Sequence, residues 1–435
     1  MASRVAYINA RVIDPESDSD IPASNIGGLL TDGPLIRAMG KNIFQEGVPD
    51  GTLQIDCRGA VLSPGLVDIR ADLCEPGAEH KEDLESGSRA AAAGGVTSVV
   101  AIPNTQPVID EVSVLEFIAR RAREVKLIKV FAHATVTKGG NSDELVEMGL
   151  LKEAGAISFT DGLRTITNAK VLLRALKYAQ AYNGIIMQHP EEQMLSQGGV
   201  MHSGELSTRL GLPGIPAESE IIMLQRDLKL VEMTGGRYHA AHISTASSVQ
   251  AIANAKSIGL NVTCDTSPPY FGLNELAVGE YRTFAKLLPP LRGEEDRKAI
   301  IEGLSNGIID CIASDHAPQD QDSKRLPFEQ AEFGAVGLET LLQLTLELYH
   351  NNHLKLIDAL ALVTNKPANI LGLPVGKLTV GGPADLTIFD PDSPRKIEPY
   401  KFVSKSKNSP FDGRMVQGHV LNTVVDGRTI YSAVT

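Results

Sequence analysis

Between about residue 61 and residue 374, short apolar runs alternate with longer amphipathic stretches, the rhythm of successive β/α units around a parallel sheet. The runs that read as strands are "AVLSPGLVDIRA", "VTSVVAIPN", "IKVFAHATV", "GAISFTD", "NGIIMQHP", "RYHAAHIS", "NVTCDTS" and "IIDCIASDH". Helical patterns follow them. In "NAKVLLRALKYAQAY", Val171, Leu172, Ala175, Leu176 and Ala179 fall on one face at helical spacing. Asn141 with Glu144 predicts a capping-box start for a helix over "NSDELVEMGLLKEAG". Eight such units in series predict a closed (β/α)8 TIM barrel over 61–374, with an open doubly wound sheet as the alternative.

The two ends of the chain have another texture. "VAYINARVI", "NIGGLL", "GPLIRAMG" and "TLQIDCRG" near the start, and "GKLTVGGPADLTIFDPD" and "HVLNTVVDGRTIYSA" near the end, are strand-like and broken by Gly, Pro and Asp turn signals. They predict one β domain assembled from residues 1–60 and 375–435.

Composition narrows the class. The 435 residues carry a net charge of −12, with no Lys/Arg-rich run, which speaks against a general affinity for nucleic acid or anionic membranes. Cys57, Cys74, Cys264 and Cys311 are widely spaced, so neither a structural zinc site nor a redox pair is indicated, and a reducing, cytoplasmic setting is expected. The N-terminal stretch has no basic, apolar-cored signal pattern, and no apolar run is long enough to span a bilayer.

In a parallel barrel the βα loops meet at the C-terminal ends of the strands, where active sites form. Polar residues concentrate there: Arg70 and Asp72 after strand one, Asn104 after strand two, Asp161 after strand four, His189 after strand five, His242 after strand six, and Asp315 with His316 after strand eight. A single His ending a strand is most often a packed or capping residue. Several strands ending in His or Asp at one mouth are the natural donors of a divalent metal.

These residues sit within longer stretches that resemble the dihydroorotase branch of the amidohydrolase superfamily: "PGLVDIRADLCEPGAEHKEDLESGSRAAAAGGVTSVVAIPNTQPV", "FTDGLRTITNA", "RLGLPGIPAESE", "AHISTASSV", "LPPLRGEEDR", "ASDHAP", "FGAVGLETLL" and "GKLTVGGPADLTIFDPD". The resemblance covers nearly the whole chain. It implies a (β/α)8 barrel with a composite β-sandwich of both chain ends. It also implies ring opening or closure of dihydroorotate in pyrimidine synthesis, one or two zinc ions, and an aspartate that shuttles the proton. In that scheme Asn104 is a substrate contact, Asp161, His189 and His242 hold one metal, and Asp315 is the proton shuttle.

The chain departs from that pattern at chosen places. The His-x-His-x-Arg motif of strand one stands here as Arg70-Ala71-Asp72-Leu73-Cys74, so two metal ligands and the arginine that grips the substrate carboxylate are replaced. Pro268-Pro269-Tyr270 replaces a Pro-His-His stretch, Leu288 replaces an asparagine, and Gln319 a histidine. A guanidinium has no lone pair to give a metal. The expectation is that Arg70 occupies the space of the first metal and pairs, as a bidentate fork, with one or two of Asp72, Asp161 and Asp315. The alternative has Arg70 turned to solvent with Asp72 as a ligand. Asp161, His189 and His242 could still hold one zinc, though the losses point to none. Cys74 is expected to be a small buried residue, and His202, His239 and His316 to be structural. Two functions follow. One is a catalytically degenerate, oligomeric partner of aspartate transcarbamoylase, as the resemblance implies for several bacterial proteins. The other is a one-zinc hydrolase of dihydroorotate or another cyclic amide. A small-molecule sensor using the vacated pocket is a third class.

Overall fold

The computed structural model describes residues 4–21 and 27–433; the first residues of the "NIGGLL" stretch and the extreme chain ends lie outside it. The barrel strands pair in parallel and in chain order. Leu66–Ala71, Val96–Ala101 and Lys129–Ala132 form one run, and Ile185–Gln188, Arg237–Ala240, Val262–Thr266 and Cys311–Ile312 another. Strand four joins them through Phe159, which bridges to Ala134 on one side and Ile186 on the other. An Ala71–His316 bridge closes strand eight onto strand one. The sheet therefore has no free edge, and the eight-unit barrel stands over the open alternative.

The helical face read from the sequence is the buried one. Ala169–Gln180 hides Val171, Leu172, Ala175, Leu176 and Ala179, and Asn168 caps its first turn. The capping box at Asn141 and Glu144 does not form. Ser142 takes a left-handed conformation (φ 64°), Asn141 accepts from Arg164, Glu144 pairs with Lys138, and the helix begins only at Met148. Local carboxylate and amide groups found tertiary partners, and these override the capping pattern.

"AVLSPGLVDIRA" is two strands rather than one. Val61–Pro64 belongs to the terminal β domain, pairing with Leu386–Phe389 and Arg11–Val12, and only Leu66–Ala71 enters the barrel. That domain thus runs to Pro64 and not to residue 60. It contains a four-stranded and a six-stranded sheet around Tyr7, Leu29, Ile36, Leu62, Leu386 and Ile388.

Between its strands Leu386–Lys396 and Met415–Val425 the chain leaves the sheet and crosses the barrel mouth. Glu339 accepts from the amides of Val403 and Ser404, the Ser404 hydroxyl donates to Glu82, and Asn408 donates to the carbonyls of Ala317 and Gly334. No helix of the described residues is long and apolar enough to cross a membrane. All four cysteines are buried and free.

Candidate functional site

Arg70 ends strand one with only 1% of its surface exposed, which excludes the solvent-facing alternative. Its Nε donates to Asp315 Oδ1 at 3.0 Å, and its Nη2 lies 3.5 Å from the Gly162 carbonyl. The expected pairing with one of the three acids is made, to Asp315, but through Nε alone and not as a bidentate fork. Among the described residues Arg70 pairs with no second acid. Burial pushes the Asp315 carboxyl above the ordinary carboxylate range, and the guanidinium pulls against that shift. Asp72 turns away and accepts from the Cys74 amide at 2.8 Å, a tight turn in which Cys74 is left-handed (φ 58°). The Cys74 thiol is buried and its pKa is pushed up, first by burial and then by Asp72, so it is no thiolate nucleophile.

His189 and His242 end strands five and six and meet: His189 Nδ1 and His242 Nε2 share a hydrogen bond at 2.7 Å. Burial, then Arg70, depresses both rings. His189 falls to about 3 and His242 well below its usual range, so both are neutral at physiological pH. The outer nitrogens have no hydrogen-bond partner. His189 Nε2 lies 3.8 Å from Glu191, and His242 Nδ1 lies 3.7 Å from Asp315.

This donor set does not fit a zinc ion. Two imidazole nitrogens bound to one tetrahedral zinc stand about 3.3 Å apart, given Zn–N bonds of about 2.0–2.1 Å. The 2.7 Å seen here is a hydrogen bond. Asp161, the expected third ligand, spends its oxygens on the amides of Val136 and Thr137 and on the Thr137 hydroxyl. Among the described residues no three His, Cys, Asp or Glu side chains are grouped to hold a metal. The sequence brought the right residues to one mouth, but Asp161 does not join the two histidines.

The other histidines are held in place. His239 bonds to Asp265 and Thr263, His316 Nδ1 accepts from the amides of Gly337 and Leu338, and His202 lies 3.4 Å from Arg292. Arg292 was not anticipated. It is 4% exposed, donates to Ser244 and the Ile215 carbonyl, and lies near Glu220, which itself caps Ser244 and Thr245. Nothing in the residue pattern near "PPLRGEED" distinguishes it from a surface arginine.

Two hollows open at the mouth. One, of about 80 Å³, is walled by Pro268, Pro269, Leu287, Leu288, Phe333 and Phe411 beside Asp72 and Asp315. The other, of about 540 Å³, runs from Asp72 and Cys74 past Lys81, Asn104 and Thr135 to Asp161 and Arg164. Asn104 Oδ1 accepts from the Leu163 amide.

Comparison with known proteins agrees with this architecture. A family model described as dihydro-orotase-like matches residues 59–248, and an amidohydrolase family model matches 232–431. A dihydroorotase of Wolbachia sp. subsp. Brugia malayi is 48% identical over 431 residues, covering 99% of this chain and 96% of that protein. A dihydroorotase of Anaplasma phagocytophilum is 49% identical over 435 residues, covering 99% and 95%. Among solved structures, an L-hydantoinase (dihydropyrimidinase) from Arthrobacter aurescens superposes with a TM-score of 0.86 at 24% identity, covering 99% of this chain and 96% of that one, a likeness of fold. With full-length relatives at this identity, the chain belongs to the dihydroorotase family of the amidohydrolases.

Proposed function

We propose that this member of the dihydroorotase family serves pyrimidine biosynthesis in the cytoplasm as a catalytically degenerate subunit, kept for its folded surface and partnered with aspartate transcarbamoylase. One observation carries the reading: a buried guanidinium, 3.0 Å from Asp315, stands at the end of strand one, where the sequence resemblance implies metal ligands in the family. A fixed cation there repels a divalent ion and supplies no lone pair. The smaller hollow at the mouth, lined by Leu287, Leu288, Pro268 and Pro269 beside Asp315, also offers little to a polar, anionic ring.

A second reading, a working cyclic amidohydrolase acting on dihydroorotate, is favoured by the relatives, which are named dihydroorotases at 42–49% identity. It requires the His189–His242 hydrogen bond to break and a third donor to arrive.

Two assays separate the readings. Dihydroorotate hydrolysis, and the reverse cyclisation of N-carbamoyl-aspartate, should stay at the buffer rate with zinc supplied; robust, chelator-sensitive turnover would put the second reading first. Size-exclusion chromatography with aspartate transcarbamoylase of the same organism should give one large co-eluting species, since a specific interface buries at least about 1,000 Å². Two independent peaks at micromolar concentration and low salt would remove the partner.

A further inference from the structure

The larger hollow beside Cys74 has a wall that the functional reading leaves unused. Its volume of about 540 Å³ is that of a small-molecule site. Cys74 supplies no cation, but Lys81 lines the same space. Its charge is felt at both Asp72 and Cys74, and among the described residues no carboxylate lies within ion-pair distance of its ammonium. Asn104 offers its NH2 group, because its Oδ1 is taken by the Leu163 amide. On the acceptor side, Gln319 Oε1 is buried without a partner while its Nε2 donates to the Phe333 carbonyl. The Thr135 hydroxyl is also buried and unpartnered, in a residue only 2% exposed. Polar groups in such positions cost free energy until something satisfies them.

The charges decide the class of ligand. The lining carries Lys81 and Arg164 as cations, the latter already bonded to the Gly139 carbonyl and Asn141, and Asp72 and Asp161 as acids, with Glu332 exposed. A dianion would gain from the two cations and lose to the carboxylates, and a bare cation the reverse. A molecule with both charges can put its carboxylate toward Lys81 and the Asn104 amide, and its N–H donors toward Asp72 and Gln319.

We infer that this hollow is a binding site for a small zwitterionic amino acid, with Lys81 as its carboxylate anchor. The inference goes beyond the functional reading above, because it needs no turnover and no partner protein.

The test is a thermal-shift and calorimetric titration of the full-length protein with glycine, L-alanine, L-serine and L-asparagine, run beside acetate and methylammonium as the two half-ligands. At least one amino acid should bind saturably at millimolar concentration and raise the melting temperature, as a ligand specific to the folded state must. Neither half-ligand should do so. Lys81→Met should weaken binding at least tenfold, about 1.4 kcal/mol, and Lys81→Arg should restore part of it. Circular dichroism of both variants shows whether they are folded. The site is overturned if no amino acid binds, if acetate or methylammonium matches the amino acid, or if folded Lys81→Met binds as the native protein does.

Discussion

Replacing Asp315 by Asn removes the charge that faces Arg70 while keeping an oxygen for its Nε–H. Stripping one partner from a fully buried ion pair costs about 3–5 kcal/mol. Here the Arg70 side chain is 2% exposed and that of Asp315 20%. Partial solvation of the acid and the retained acceptor reduce the cost to about 2 kcal/mol. Arg70→Met leaves an acid that burial already favours in its neutral form, so it can protonate, and its cost is about 1–2 kcal/mol. If the two side chains act as a pair, the double variant costs less than the sum by about 1–2 kcal/mol. The chain has no tryptophan, so urea unfolding is best followed by far-UV circular dichroism. Thermal midpoints are less sensitive: about 2.1 cal/mol/K per residue over the whole chain makes about 1 °C per kcal/mol. Additivity within about 0.5 kcal/mol would mean that Arg70 and Asp315 are uncoupled, and the replacement of metal by guanidinium would lose its basis.

Three further outcomes are expected. Elemental analysis after dialysis against a weak chelator should find well under one zinc per chain, and two tightly held metals would contradict the donor geometry. Buried His133, bonded to Ser158 and to the Ile69 carbonyl, has its pKa pushed down to about 4, chiefly by burial. The unfolded chain therefore takes up that proton first, and stability is lost as pH falls from about 6.5 toward 4. Relative to His133→Gln the native protein should lose about 3 kcal/mol across that window in urea titrations, and parallel pH curves would refute the assignment. Gly162 is left-handed (φ 68°), and a Cβ there would sit 1.7 Å from Asn104 Oδ1. Gly162→Ala should therefore cost about 1–3 kcal/mol of stability and displace Asn104; an unchanged urea midpoint would count against this packing.

Closure over the open-sheet alternative was decided by the Ala71–His316 bridge, whereas the alternation of short apolar runs and amphipathic stretches was enough to give the eight β/α units, because burial period and strand length are local properties. The same holds for the face of Ala169–Gln180 and for the gathering of Arg70, Asp72, Asn104, Asp161, His189, His242 and Asp315 at one mouth, since strand ends converge once the sheet closes. The lack of imidazole donors at the end of strand one, Arg70 to Cys74, was also legible, because a residue's identity decides whether it has a lone pair to give.

Partner choice was not legible. Arg70 took Asp315 alone, Asp72 took the Cys74 amide, and Asp161 went to Val136 and Thr137. Each had several acceptable partners within reach, and only distances set by the closed barrel selected among them. Likewise, Glu82 and Glu339 gather the 403–405 segment over the mouth, and Arg292 is buried among Ser244, His202 and Glu220. These contacts join residues far apart in the chain, and a charged residue's solvation is decided by what packs over it, which no local pattern encodes.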